Sequence, residues 1–109
     1  MPPLTLSAAS DAVGNLSCSG VSWDSIQLSW DIPASPNGQI VYYEVVVEAD
    51  LQTYTHQAHT PEYTLTGLSP DQEYSLVVAA VNSAGPGDRV NCTAFTLSES
   101  GSWIFFRSV

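Results

Sequence analysis

Residues 65–87 read LTGLSPDQEYSLVVAAVNSAGPG. Turn chemistry brackets this stretch, with Ser69-Pro70-Asp71 ahead of a long apolar run and Gly85-Pro86-Gly87 behind it. Inside the run, Tyr74, Leu76, Val78 and Ala80 fall on alternate positions. A helix would repeat its apolar face every three or four residues. Period two instead puts these four side chains on one face of a strand.

The same period extends outward in both directions. SIQLSW at 25–30 places Ile26, Leu28 and Trp30 on one face, and YYEVVVE at 42–48 does so for Tyr43, Val45 and Val47. EYTLTGL at 62–68 adds Tyr63 and Leu65. β-branched and aromatic residues fill these runs, as suits a pleated surface with one buried side. Pro33 and Pro36-Asn37-Gly38 supply another turn. The pattern predicts about seven short strands, near 14–19, 25–31, 40–49, 52–57, 62–66, 73–81 and 90–97, with no proline inside any of them. That number and spacing predict an all-β, antiparallel two-sheet sandwich. The chain contains no internal repeat and no low-complexity segment.

A chain of 109 residues is long enough for one core. Residues 1–10 read as a leader or linker, 11–97 as the folded domain, and 98–109 as a C-terminal linker with an apolar tail. The tail concentrates Trp103, Ile104, Phe105 and Phe106. Three readings compete for it: a junction to a following module, a segment that adds to a sheet edge or pairs two chains, and an end foreign to the domain. Four consecutive large apolar residues at a terminus need cover, and the last reading, a non-native or alternatively encoded end, is preferred.

Composition removes several function classes. The net charge is −9, and the only basic residues are Arg89 and Arg107. No basic patch can form, so neither nucleic acid nor an anionic membrane is an expected partner. The acids are scattered singly and no Asp-x-Asp-x-Asp-Gly calcium loop occurs. No apolar run approaches the ~20 residues that span a bilayer, so direct membrane insertion is not expected. Met1-Pro2-Pro3 does not begin a signal peptide; a secreted form would be a piece of something longer.

Catalytic chemistry finds little to work with. His56 and His59 are the only histidines, they face opposite sides if the strand continues, and no third metal ligand accompanies them. Both are expected to be exposed polar side chains. No Gly-x-Ser-x-Gly elbow occurs, and Gly85-Pro86-Gly87 lacks the lysine and helix of a phosphate loop. No catalytic residue, metal or cofactor is expected. Two cysteines remain, Cys18 and Cys92, and each adjoins a glycan-acceptor triplet: Asn15-Leu16-Ser17 just precedes Cys18, and Asn91-Cys92-Thr93 contains Cys92. Catalysis, metal binding, a free thiol and a bridge are all open roles for that pair.

From Trp30 onward the chain resembles a fibronectin type III domain, over roughly residues 11–97. NLSCSGVSWDSIQLSWDIP at 15–33 is similar to the family's first two strands, with a buried Leu16, an Ile-x-Leu-x-Trp strand and a following proline. PNGQIVYYEVVV at 36–47 looks like its third strand. The most specific match is Leu68-x-Pro70, then Tyr74, then Val81-Asn82-Ser83-Ala84-Gly85. The resemblance implies a seven-stranded antiparallel immunoglobulin-like β-sandwich. Its core would comprise Leu16, Ile26, Leu28, Trp30, Tyr43, Val45, Val47, Leu65, Leu68, Tyr74, Leu76 and Val78. Tyr74 would form a tyrosine corner near Leu68–Pro70, and Gly67 and Gly85 would occupy turn conformations that side chains resist. Loops near 31–39, 57–61 and 82–89 would gather at one pole.

The resemblance also bears on the cysteines. It implies that Cys18 lies in the first strand and Cys92 early in the last, at the same lateral edge. A Cys18–Cys92 disulfide is expected there, with about 73 residues between its ends; two separate buried thiols are the alternative. Alternation turns Asn91 away from Cys92, so sugar would face outward and the bridge inward. Asn15 and Asn91 are therefore expected glycosylation sites.

By resemblance, the chain is a non-catalytic extracellular module of a larger receptor or adhesion protein, such as a receptor-type tyrosine phosphatase. It would serve as spacer and recognition unit, with any catalysis outside this chain. Its partners would be neighbouring modules and a protein ligand, and the domain would be monomeric unless an edge strand or the tail pairs two copies. Two other classes compete. One is an intracellular scaffold of the muscle type, disfavoured by the paired cysteines, the two acceptor triplets and the absence of lysine. The other is a linker module of a carbohydrate-active enzyme, with Trp23 and Trp103 as sugar-stacking residues.

Overall fold

The computed structural model describes residues 8–49 and 51–98. The expectations for residues 1–7 and for the tail 99–109, Trp103 to Phe106 included, lie outside the described residues.

Eight strands form two antiparallel sheets, and none of the described residues is helical. One sheet has three strands, β1 (Gly14–Ser22), β2 (Ser25–Asp31) and β5 (Glu62–Leu65), in the order β1-β2-β5. The other holds β3 (Tyr42–Ala49), β4 (Gln52–Ala58), β6 (Glu73–Asn82), β7 (Gly85–Pro86) and β8 (Val90–Phe95). Its order is β4-β3-β6, and β6 then pairs with both β7 and β8. The expected sandwich is present.

The eighth strand is a departure from the seven expected, and it places a proline inside the sheet. Gly85 takes a φ of 115°, which lets the chain reverse after Ser83-Ala84. Asn82 then pairs with Gly85, and Val81 with Pro86. Proline is tolerated because Val81 and Pro86 form a non-hydrogen-bonded pair, and the next donor, the Gly87 N–H, bonds Ala80 O at 2.8 Å.

The alternating side chains meet between the sheets. Ile26, Leu28, Val45, Leu76 and Val78 are fully buried, and Trp30, Tyr43, Val47, Leu65 and Tyr74 nearly so. Leu16 and Leu68 pack against this cluster while partly exposed. Ala80, on the same period-two face as Leu76 and Val78, is fully buried with them, and Val13, Ala58 and Ala94, which that period did not single out, complete the cluster. Trp30 stacks edge-to-face on Tyr43 with ring centroids 5.2 Å apart, an arrangement aromatic pairs prefer. Burial raises the Tyr43 hydroxyl above its ordinary pKa, and the Trp30 indole N–H nearby partly offsets this. That N–H nonetheless falls short of a full hydrogen bond, and Trp30 Nε1 is a buried donor without a partner. Tyr74 closes the turn before β6: the Ser69 N–H donates to its hydroxyl at 2.8 Å. Gly67 has a φ of 72° in the same turn.

Candidate recognition surfaces

The antiparallel order gathers the ends of β2, β4 and β6 and the starts of β3, β5 and β8 at one pole. The loops between them, 32–41, 59–61 and 83–89, share that pole. Residues 8–10, read from sequence as part of a leader, are stitched into it. Asn82 is the anchor, and it is 3% exposed. Its Nδ2 donates to the carbonyls of Ala8 (2.8 Å), Pro36 (2.9 Å) and Asn37 (3.2 Å), and its Oδ1 accepts from the Ala84 N–H at 2.8 Å. Asn37 Nδ2 donates to Ala9 O at 2.8 Å, the Asp11 N–H to Ser35 O at 2.9 Å, and the Asp88 N–H to Ser10 O at 3.2 Å. Gly87 lies so close to this segment that a Cβ there would sit 2.2 Å from Ser10 O. One buried amide thus ties the incoming chain to two loops, and Ile32 and Val41 stand 62% and 59% exposed nearby. Asn82 belonged to the Val-Asn-Ser-Ala-Gly motif, but its bonding role had no signal in period or spacing.

The two lateral edges differ. At one, β1 crosses to β8. Cys18 and Cys92 form a disulfide with Cα atoms 6.5 Å apart, and each packs against the core. A Cβ on Gly20 would lie 2.0 Å from Phe95 O, so the backbones touch there. The Leu97 N–H then donates to Ser22 O at 3.0 Å. Asn15 and Asn91 lie on these same two strands, and both are exposed.

The opposite edge is open. Among the described residues, β4 pairs only with β3, and β5 only with β2. His56 was expected to be exposed; instead it is half-buried. It shares β4's inward phase, opposite Val45 in register. Its ring meets Tyr63 of β5 at 5.5 Å between centroids. His59 lies in the loop beyond and is exposed. Below the His56–Tyr63 contact lies a cleft of about 420 Å³, lined by Val47, Leu65 and Tyr74 and flanked by Tyr54 and Leu68.

Chemistry is sparse across these surfaces. Among the described residues, no three of His, Cys, Asp and Glu gather to hold a metal ion. Arg89 pairs with Glu44 at 3.7 Å. What the geometry offers is shape, exposed apolar residues and unpaired strand edges.

The sequence model of the fibronectin type III domain matches residues 11–94. The human phosphatidylinositol phosphatase PTPRQ is 36% identical over 96 residues, which cover 88% of this chain and 4% of that protein. Human receptor-type tyrosine-protein phosphatase F is 38% identical over 80 residues, covering 67% of this chain and 4% of that protein. A solved structure of titin domains A168–A170 superposes with a TM-score of 0.68 at 28% identity, covering 79% of this chain and 30% of that one. The chain thus spans about 4% of the length of the curated relatives it matches. It belongs to the fibronectin type III family, whose domain is a non-catalytic module.

Proposed function

We propose, with membership of the fibronectin type III family as the premise, that this chain is one module of a receptor or adhesion protein's extracellular part. It acts as spacer and protein-recognition unit, and any catalysis by the parent resides outside these residues. The supporting observation is the Cys18–Cys92 bridge in a domain related to a receptor-type phosphatase. Disulfides persist outside the cell and are rare in the cytosol, where thiols are kept reduced. The titin likeness supports a reading as an intracellular scaffold on fold alone, and the bridge speaks against it.

Within this reading, neighbouring modules join at the two poles and a protein ligand contacts the loop pole or the open β4–β5 edge. The loop pole is held by Asn82, so its loops are preorganised, which limits the ordering cost of binding. The unpaired edges of β4 and β5 suit addition of a strand. The domain itself is a monomer. The test is thiol mapping of the parent protein recovered from the cell surface, without reduction. A Cys18–Cys92 linked peptide pair is expected; two free thiols would overturn the extracellular assignment.

A further inference from the structure

We infer that Asn91 carries an N-linked glycan, in preference to Asn15, and that the sugar lies on the outer face of the larger sheet. The inference rests on the extracellular reading above. Both asparagines satisfy the acceptor triplet, so sequence alone ranks them equally. Their surroundings differ.

Asn91 sits in β8, an extended strand at the margin of its sheet. It is exposed, while Cys92 beside it is half-buried and bridged inward. Among the described residues, no hydrogen bond engages the Asn91 side-chain amide. Across the sheet, Asn91 stands opposite Val77, and Val77 opposite Val46. This apolar row runs about 10 Å from Asn91, at two interstrand spacings of ~4.8 Å. Both valines are half-buried on a face that no described element covers. A sugar rooted on Asn91 has the weakly polar faces of its rings to lay over that row. It would also obstruct the margin of β8, as natural sheets do with bulky or charged groups.

Asn15 is exposed too, but its amide is already committed. Its Nδ2 donates to Asp31 Oδ2 at 2.7 Å. The residue lies where the β1–β2 register shifts, with a φ of 47°. A sugar on that nitrogen would be set against the Asp31 carboxylate.

The chemistry balances without redox. The Asn91 Nδ2–H bond breaks and an N–C bond forms to the anomeric carbon of a glycosyl pyrophosphate-lipid donor. The pyrophosphate-lipid leaves, and the amide proton is lost to base. The transfer does not use the Cys92 sulfur, so the sugar leaves that sulfur available for the bridge.

The test sends the full 109-residue chain through a secretory host behind a cleavable signal. Enzymatic removal of N-glycans converts each occupied asparagine to aspartate, and peptide mass mapping without reduction reads occupancy and thiol state together. Asn91 is expected to be occupied in a larger fraction of molecules than Asn15. N91Q is expected to abolish most of the deglycosylation shift, and T93A to do the same while keeping the asparagine. An intact Cys18–Cys92 bridge with Asn91 bare, or less occupied than Asn15, would overturn this inference and leave the extracellular reading standing. Two free thiols would strike that reading instead.

Discussion

One lateral edge of the sandwich is sealed and the other is not. At the sealed edge, β1 and β8 are joined by a disulfide, a backbone approach possible only at Gly20, and the Leu97-to-Ser22 hydrogen bond. At the open edge, β4 and β5 meet through the His56–Tyr63 rings above a cleft of about 420 Å³. The contrast teaches that two sheets with one shared core need not close alike. Covalent and main-chain contacts fix one side for stability. The other side has free strand edges with no cross-link between the sheets, and a partner strand has room to bond there.

The largest test breaks the sealed edge directly. Replacing both cysteines with serine frees a loop with a sequence separation of 74 residues. In the chain-entropy account this costs about 4 kcal/mol at 25 °C, to be read as a lower urea midpoint. Next comes Gly20→Ala. Its Cβ would meet backbone, not a flexible side chain, so the strands must part; a loss of about 3 kcal/mol is expected, near the top of the usual overpacking range. If G20A melts like the parent, β1 and β8 are not in contact as described.

A matched pair of alanines sharpens the comparison further. Ala80→Val inserts two methyls into a fully buried site and should cost about 2 kcal/mol. Ala49→Val inserts the same two methyls beside the open cleft, where space remains, and should change stability by less than about 0.5 kcal/mol. Equal effects would mean the cleft is closed in solution. A comparably small effect belongs to His56→Ala, which removes one ring pair at the open edge. About 0.5 kcal/mol is expected by thermal melting, and a loss of several kcal/mol would show this edge to be sealed as well.

How much of this was legible in the sequence depended on what signal each feature leaves. Tyr74, Leu76 and Val78 announced their strand because burial of one sheet face forces period two. Trp30 was legible for the same reason, and the turn before Tyr74 from the turn chemistry of Ser69-Pro70-Asp71, both helped by family resemblance. The two-residue strand at Gly85–Pro86 was not, because two residues carry no period and proline argues against a strand. His56 misled because a histidine on an edge strand is exposed unless something across the gap meets it, and period alone does not say that the next strand, with Tyr63, crosses to the other sheet. The stitching of residues 8–10 by Asn82 was invisible because its bonds run to backbone carbonyls, which every residue has. The Gly20 contact left only a glycine, and glycines have many uses.

The disulfide has a further consequence in mechanical terms. The first described residues lie at the loop pole and the last at the opposite pole, beyond the end of β8, so tension applied between them pulls through β1 and β8. Cys18–Cys92 short-circuits that path, removing the intervening chain, across a separation of 74 residues, from any extension. Of residues 8–98, only about 16 peptide steps outside the bridge can lengthen, roughly 55 Å at ~3.5 Å each. Without the bridge the same span would yield on the order of 300 Å. The module would therefore behave under load as a nearly inextensible link, and reduction would turn it into a compliant one.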